Sequence, residues 1–266
     1  MPREGSSRRV AALYDQWTPT FVRFAGMTHQ AALLPGPKAR DLGPCEASNR
    51  SLVRRLSVRS GQTVLDAGAG VGGPAMCLAE QAGVRVTAVS IAAEQVALGR
   101  LLTGEAGFEQ EIDWVQGDYH ELPLPDLSFD GAWMLESACY ADPPLRLLQE
   151  LHRVLKPGAP LLIKDLFLRP GPHDAAAQAA LAGIRDSWRL PPLHTVEDWA
   201  EAMRLAGFAV PQVERPEVET DTYLGSMFEL DPARGLVLNP FGRAFYADHS
   251  VLPIEWAVLT TRAGAA

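Results

Sequence analysis

Apolar residues recur at helical spacing near the start of the chain. Leu13, Trp17, Phe21 and Phe24 share one face and predict a helix over residues 10–24. Residues 26–42 are rich in Gly and Pro and read as irregular. A second helix follows, with Leu52, Val53 and Leu56 inward and Arg50, Arg54 and Arg55 toward water. Ser60-Gly61 is a turn. From there short apolar runs alternate with amphipathic stretches. The runs predict strands at 63–67, 84–89, 112–116, 129–135 and 160–166, interleaved with helices near 74–81, 93–106 and 144–155. Such alternation predicts an α/β fold whose parallel sheet is covered on both faces.

After Phe167 the alternation breaks. Residues 175–187 and 196–206 read as helices, the second closed by Gly207. Strands at 208–214 and 254–261 bring the expected total to seven. Two segments, about 167–194 and 215–253, are too long for ordinary connections and read as a lid or substrate cover that roofs a pocket. The expected organisation is a helical cover over 1–60 and a nucleotide-binding domain over 61–266 that carries both insertions.

Bulk composition narrows the class. With 266 residues and 47% hydrophobic content the chain can bury a sizeable core. A net charge of −8 argues against general nucleic-acid binding, which wants a basic face. No apolar run reaches the length of a membrane span. The basic start, MPREGSSRRV, is followed by no apolar stretch, so it is read as a frayed tail rather than a signal peptide. Cys45, Cys77 and Cys139 lack metal spacing and are read as reduced thiols of a cytoplasmic protein, with no metal site.

The chemistry begins at residues 63–76, TVLDAGAGVGGPAM. Gly68, Gly70 and Gly73 satisfy the dinucleotide spacing G-x-G-x-x-G between a strand and a helix. A dinucleotide site needs an acid at the end of the second strand to hold a ribose, and that position is Ser90. An acid stands instead just ahead of the glycines, at Asp66. A carboxylate there would repel a pyrophosphate but complements an ammonium, such as the methionine amino group of S-adenosylmethionine. The competing bland reading is a glycine turn kept for close helix packing. At the end of the third strand Gly117-Asp118-Tyr119 offers a carboxylate for an adenine amino group and a ring or backbone donor beside it.

With VLDAGAGVGGPA, GDYHELPLPDLSFD and VLKPGA in place, the chain resembles the class I S-adenosylmethionine-dependent methyltransferases from about Val10 to Gly207. It looks most like the small-molecule branch of sterol C-methyltransferases, tocopherol methyltransferases and bacterial natural-product methyltransferases. YDQWTPTFVRFAGMTH is similar to the cofactor-covering segment of that branch. The resemblance implies a Rossmann-like seven-stranded sheet with a reversed last strand. It implies that Tyr14 closes over the cofactor carboxylate and that Ser90, Ile91 and Gln95 surround the ribose. Gly68, Gly70, Gly72 and Leu135 complete the expected cofactor set. Ala159 departs from the branch, which usually has Gly there, and this touches only a turn.

The acceptor side is read from WMLESACYADPP, at the end of the fourth strand. Glu136 has two readings of equal standing: a base or charge-steadying carboxylate, and an orienting residue that hydrogen-bonds the covering loop. Glu136-Ser137-x-x-Tyr140 resembles the corresponding stretch of prenyl-diphosphate C-methyltransferases. His29 stands where the branch places a residue near the substrate mouth, although a lone His is more often structural. Phe24, Phe167, Arg169 and Trp188 are expected to line the substrate, among the aromatics Trp17, Phe21, Tyr223, Phe228, Phe241, Phe245 and Tyr246. Most of those rings are expected to serve the cover's own core. Arg169, His173, Arg185, Arg189 and His194 could grip a diphosphate with Mg²⁺, or could form a solvated helix face. The expected activity is methyl transfer to a small apolar metabolite, with C-methylation of an isoprenoid-like alkene leading. O- or N-methylation of a polyketide or alkaloid follows, then a non-transfer rearrangement or cyclisation. A homodimer is left open.

Overall fold

The computed structural model describes residues 4–33, 43–219, 228–231, 235–238 and 251–264. Helix α1 (Glu4–Ala25) is followed by the short strand β1 (Ala32–Leu33) and helix α2 (Pro44–Leu56). The alternating part comprises β2 (Thr63–Ala67), α3 (Gly73–Ala82), β3 (Arg85–Ser90), α4 (Ala93–Glu105), β4 (Ile112–Gln116), β5 (Gly131–Leu135), α5 (Pro144–Val154) and β6 (Pro160–Leu168). Then come α6 (Ala175–Trp188), α7 (Val196–Leu205), β7 (Gln212–Glu214), β8 (Val218–Glu219), β9 (Phe228–Asp231), β10 (Gly235–Leu238) and β11 (Ile254–Arg262).

The main sheet has seven strands in the order β4-β3-β2-β5-β6-β11-β7. Its first five are parallel, and β11 runs antiparallel to both β6 and β7. The fold is therefore the expected Rossmann-like sheet with its last strand reversed. Period-two alternation sorts the faces: Leu65, Leu161 and Ile163 pack with α5 and α7, while Val64 and Leu162 pack with α2 and α3. Leu147, Leu148 and Leu151 of α5 are wholly buried, each worth roughly 1.5–3 kcal/mol of burial. A third cluster joins Phe21 of α1 to Ala180, Ile184 and Trp188 of α6, a small core belonging to the cover.

Three expectations change. The polar start is no frayed tail from Glu4 onward, because α1 begins there. The strand expected from Phe208 begins at Gln212, with Phe208 only bridging Ala263. The stretch after Gly26 is not wholly irregular: Ala32 and Leu33 pair with Glu219 and Val218. Gly207 does close α7, one residue beyond its cap Ala206, at φ 95°. Within the second insertion, Tyr223, Phe241, Phe245 and Tyr246 lie outside the described residues.

Candidate functional site

The glycine loop is shaped by close approaches. Gly68 has φ 89°, and a Cβ there would meet the Ser137 Cβ at 2.3 Å. Ser137 Oγ donates to the Ala67 carbonyl at 2.7 Å, locking the ends of β2 and β5 together. A Cβ on Gly72 would strike the Trp114 ring at 2.7 Å, so this glycine serves helix packing. Gly73 meets the cover: its N–H donates to the Met27 carbonyl at 3.2 Å.

Beside this loop lies a cavity of about 760 Å³. Most of the residues nominated from sequence line it: Tyr14, Asp66, Gly68, Gly70, Ser90, Ile91, Gln95, Asp118, Tyr119, Leu135, Glu136, Tyr140, His29 and Trp188. Gly72 and Gly117 do not line it; a Cβ on Gly117 would instead meet the Pro123 ring at 3.2 Å. Two substrate-lining expectations are overturned. Phe167 still belongs to β6, is 1% exposed and packs edge-on against Trp199 of α7. Arg169 is exposed and borders a different groove, with Arg215, Val218 and Trp256. The Phe24 side chain lies outside the described residues. Of the basic set only Arg185 and Arg189 reach the cavity; His173 and His194 do not. The first insertion thus contributes part of the wall, through Arg185 and residues 188–192.

Polar groups are unevenly satisfied around this wall. Asp66 is 2% exposed, and its Oδ2 has no hydrogen-bond partner. Burial pushes its carboxyl up to about 7. Thr18 Oγ1 and Gln30 Oε1, both buried and both on the wall, lack partners too. Three buried oxygens facing one cavity fit a ligand that brings donors, an ammonium above all. Asp118 has the opposite environment. Burial works to raise its carboxyl, but hydrogen bonds from His120 and Ser7 outweigh that and hold it well below the usual range. Ser90 Oγ donates to Gln95 Oε1 at 2.6 Å and accepts from the Ala92 N–H, fixing the loop into α4.

Elsewhere on the wall the Tyr14 and Tyr140 hydroxyls share a hydrogen bond of 3.0 Å. His29 stacks on Phe21 with ring centroids 4.4 Å apart, and Trp188 continues the column at 6.3 Å. Burial lowers the His29 imidazole to about 4, so it is neutral at physiological pH. Glu136 is 5% exposed along its side chain and forms an ion pair with Lys164, itself 1% exposed. Its Oε1 also accepts the Ala31 N–H at 2.8 Å. Burial pushes the Glu136 carboxyl up to about 7 despite the Lys164 charge. Sequence reading missed Ser7, Thr18, Gln30, His120 and Lys164. Local signals were slight: Thr18 is a polar position beside Trp17 and Phe21 on α1, and Lys164 a charge within an apolar run.

No helix among the described residues is long and apolar enough to cross a membrane, and no group of three or more His, Cys, Asp or Glu among them could hold a metal ion. The family profile described as "Methyltransferase domain" matches residues 65–163, from the glycine loop to β6. The O-methyltransferase resE of Aspergillus sclerotiorum is 32% identical over 216 residues, covering 79% of each chain. Other relatives, plant sterol C-methyltransferases among them, are spanned over about half of their length. Among solved structures, geranyl diphosphate C-methyltransferase from Streptomyces coelicolor superposes with a TM-score of 0.79 at 17% identity, over 98% of this chain and 99% of that one. The [4+2]-cyclase SpnF superposes with a TM-score of 0.77 at 24% identity, over 98% and 97%. These two share the fold. Taken with the glycine loop, the orphan acceptors and the reversed strand, the curated relatives establish that this chain belongs to the S-adenosylmethionine-dependent methyltransferases.

Proposed function

We propose that the chain moves the methyl group of S-adenosylmethionine to a hydroxyl oxygen of a small, largely apolar metabolite. The observation that carries this reading is the division of labour between Glu136 and His29. The carboxylate is held by Lys164 and the Ala31 amide, whereas a neutral imidazole stands in the cavity wall. The cofactor supplies an electrophilic methyl on a positively charged sulfur. Asp66 would hold its ammonium, Asp118 and Tyr119 its adenine, and Ser90 with Gln95 its ribose. His29 would take the hydroxyl proton as the carbon–oxygen bond forms and the carbon–sulfur bond breaks. A weak base suffices, because a hydroxyl oxygen that has gained a methyl becomes a strong acid. Phe21 and Trp188 hold the imidazole in place and present apolar surface to the acceptor. The three cysteines, Cys45, Cys77 and Cys139, fit a reducing, cytoplasmic setting.

A second reading, C-methylation of an alkene, draws support from the rings of Tyr14, Phe21, Trp188 and Tyr140 on the same wall. Each ring face contributes roughly 0.5–2 kcal/mol toward a carbocation. The test uses donor labelled with ¹³C at the methyl and a panel of phenols, polyketide alcohols and prenyl alkenes. Release of S-adenosylhomocysteine with label in the methoxy region of the spectrum supports the proposal. Label on an alkyl carbon transfers the case to the second reading. Turnover of a substrate without S-adenosylhomocysteine would make the protein a cofactor-dependent rearrangement catalyst.

A further inference from the structure

The groups around Ala31 form a closed arrangement that the methyl-transfer chemistry does not use. Glu136 Oε1 accepts the Ala31 N–H, and Lys164 Nζ donates to the Ala31 carbonyl and to Glu136 Oε1. Both backbone polar groups of one residue are thus held by one buried ion pair. Lys164 sits in the middle of β6, opposite Leu135 of β5 and Val258 of β11, with its ammonium 4.8 Å from the centre of the Trp256 ring. Glu136 follows β5 at φ 56°, a left-handed conformation that costs a side-chain-bearing residue roughly 1–2 kcal/mol. Its own N–H donates to the Lys164 carbonyl at 2.8 Å, which fixes that turn. A buried charge pair and a strained backbone persist where the surrounding structure over-determines them.

The segment so held carries the cavity wall. Met27, His29 and Gln30 precede Ala31 and all line the cavity. Gly73 N–H donates to the Met27 carbonyl, Gln30 Nε2 donates to Asn49 Oδ1, and Leu33 N–H donates to Ser48 Oγ at 3.1 Å. Those ties reach α2 and α3, whereas the ties to the central strands run through Glu136 and Lys164.

We propose that Lys164 is a positioning residue: paired with Glu136, it latches residues 27–33 onto the strand ends, so that the wall carrying His29 and Gln30 is ordered before the methyl donor binds. Without the latch the ligand must order that segment itself, and its apparent affinity falls by the fraction of molecules already competent. The proposal holds whichever acceptor atom is methylated.

The test compares the parent with Lys164→Met and with the double variant Lys164→Met/Glu136→Gln. S-adenosylhomocysteine affinity is measured by calorimetry, hydrogen exchange is followed residue by residue, and kcat is measured at saturating donor. Lys164→Met removes the cation beside a buried carboxylate and should weaken affinity about 10–100-fold. Exchange should rise across residues 27–33 and stay unchanged in β2, β3 and β5, with kcat at saturation close to the parent's. The double variant, which buries no unpaired charge, should recover much of the affinity. Unchanged affinity and exchange in both variants would overturn the latch. So would loss of protection throughout the sheet, which marks a general structural role, or a fall in kcat at unchanged affinity, which marks a role in the chemistry.

Discussion

Ser7 Oγ donates to Asp118 Oδ2 at 2.6 Å, tying the first turn of the N-terminal helix to the loop after β4. The same helix caps a neighbour: Asp15 Oδ1 accepts the Glu94 N–H at 2.9 Å, in the first turn of α4, where no local side chain does so. Helix α1 is therefore held down by polar contacts at both of the loops that flank the expected adenosine. Ser7→Ala and Asp15→Ala should each weaken S-adenosylhomocysteine binding by about 0.5–2 kcal/mol, the scale of a lost cap. Titration calorimetry checks this, and near-unity effects for both would show that α1 is held mainly by its apolar face.

Asp66 carries a pH signature. Its carboxyl lies near 7 in the folded chain against an ordinary value of 3.8. Between those values the folded state keeps a proton that the unfolded state has released, so this group's contribution to stability is full at low pH and is lost as pH rises toward 7. Asp66→Asn should therefore melt higher than the parent at pH 8 without ligand, and the gap should close near pH 4. With S-adenosylmethionine the gap at pH 8 should narrow, because the variant loses about 1.5–3 kcal/mol of contact to the ammonium. Thermal scans with and without ligand at both pH values give the answer.

Gly68 and Gly70, the glycines of the β2–α3 loop that line the cavity, should respond unequally to one methyl group. Gly68 combines φ 89° with a Cβ path that ends 2.3 Å from Ser137, whereas Gly70 has φ 57° and open space. Gly70→Ala should cost about 1 kcal/mol, the left-handed penalty alone. Gly68→Ala must also displace Ser137 and should abolish cofactor binding. Denaturant melts paired with calorimetry distinguish the two, and equal effects would contradict the packing of β2 against Ser137.

His29 is neutral above about pH 4, so the acid limb of kcat/KM assigned to it should fall near that value and leave activity flat between pH 5 and 8. Replacing it by Phe keeps the stack on Phe21 and removes the proton acceptor. Turnover should drop by about 10²–10⁴ at little change in cofactor affinity. Retained turnover in single-turnover assays would mean that an already nucleophilic atom is methylated without a base.

Much of this protein is written locally. The strands at 63–67 and 112–116 match the structure residue for residue, because an apolar run between turn residues specifies a buried strand without outside help. Asp66 ahead of the glycines separated the methyl donor from a dinucleotide, since a carboxylate's charge acts on whatever ligand the loop admits. Other features depend on distant partners. Lys164 in LLIKDLF is only a charged interruption of an apolar run, and its partners Glu136 and Ala31 lie 28 and 133 positions away. The polar start of the chain has no apolar stripe to announce a helix before Val10, and Asp118, 111 positions on, meets Ser7 there. Phe167 was misplaced because β6 runs two residues beyond its predicted end. Paired with Glu255 of β11, it takes the face set by strand register and packs on α7 instead of lining the cavity. Local pattern determines which residues become strands. Strand length and register, which depend on the neighbouring strand, decided which side chains reach the site.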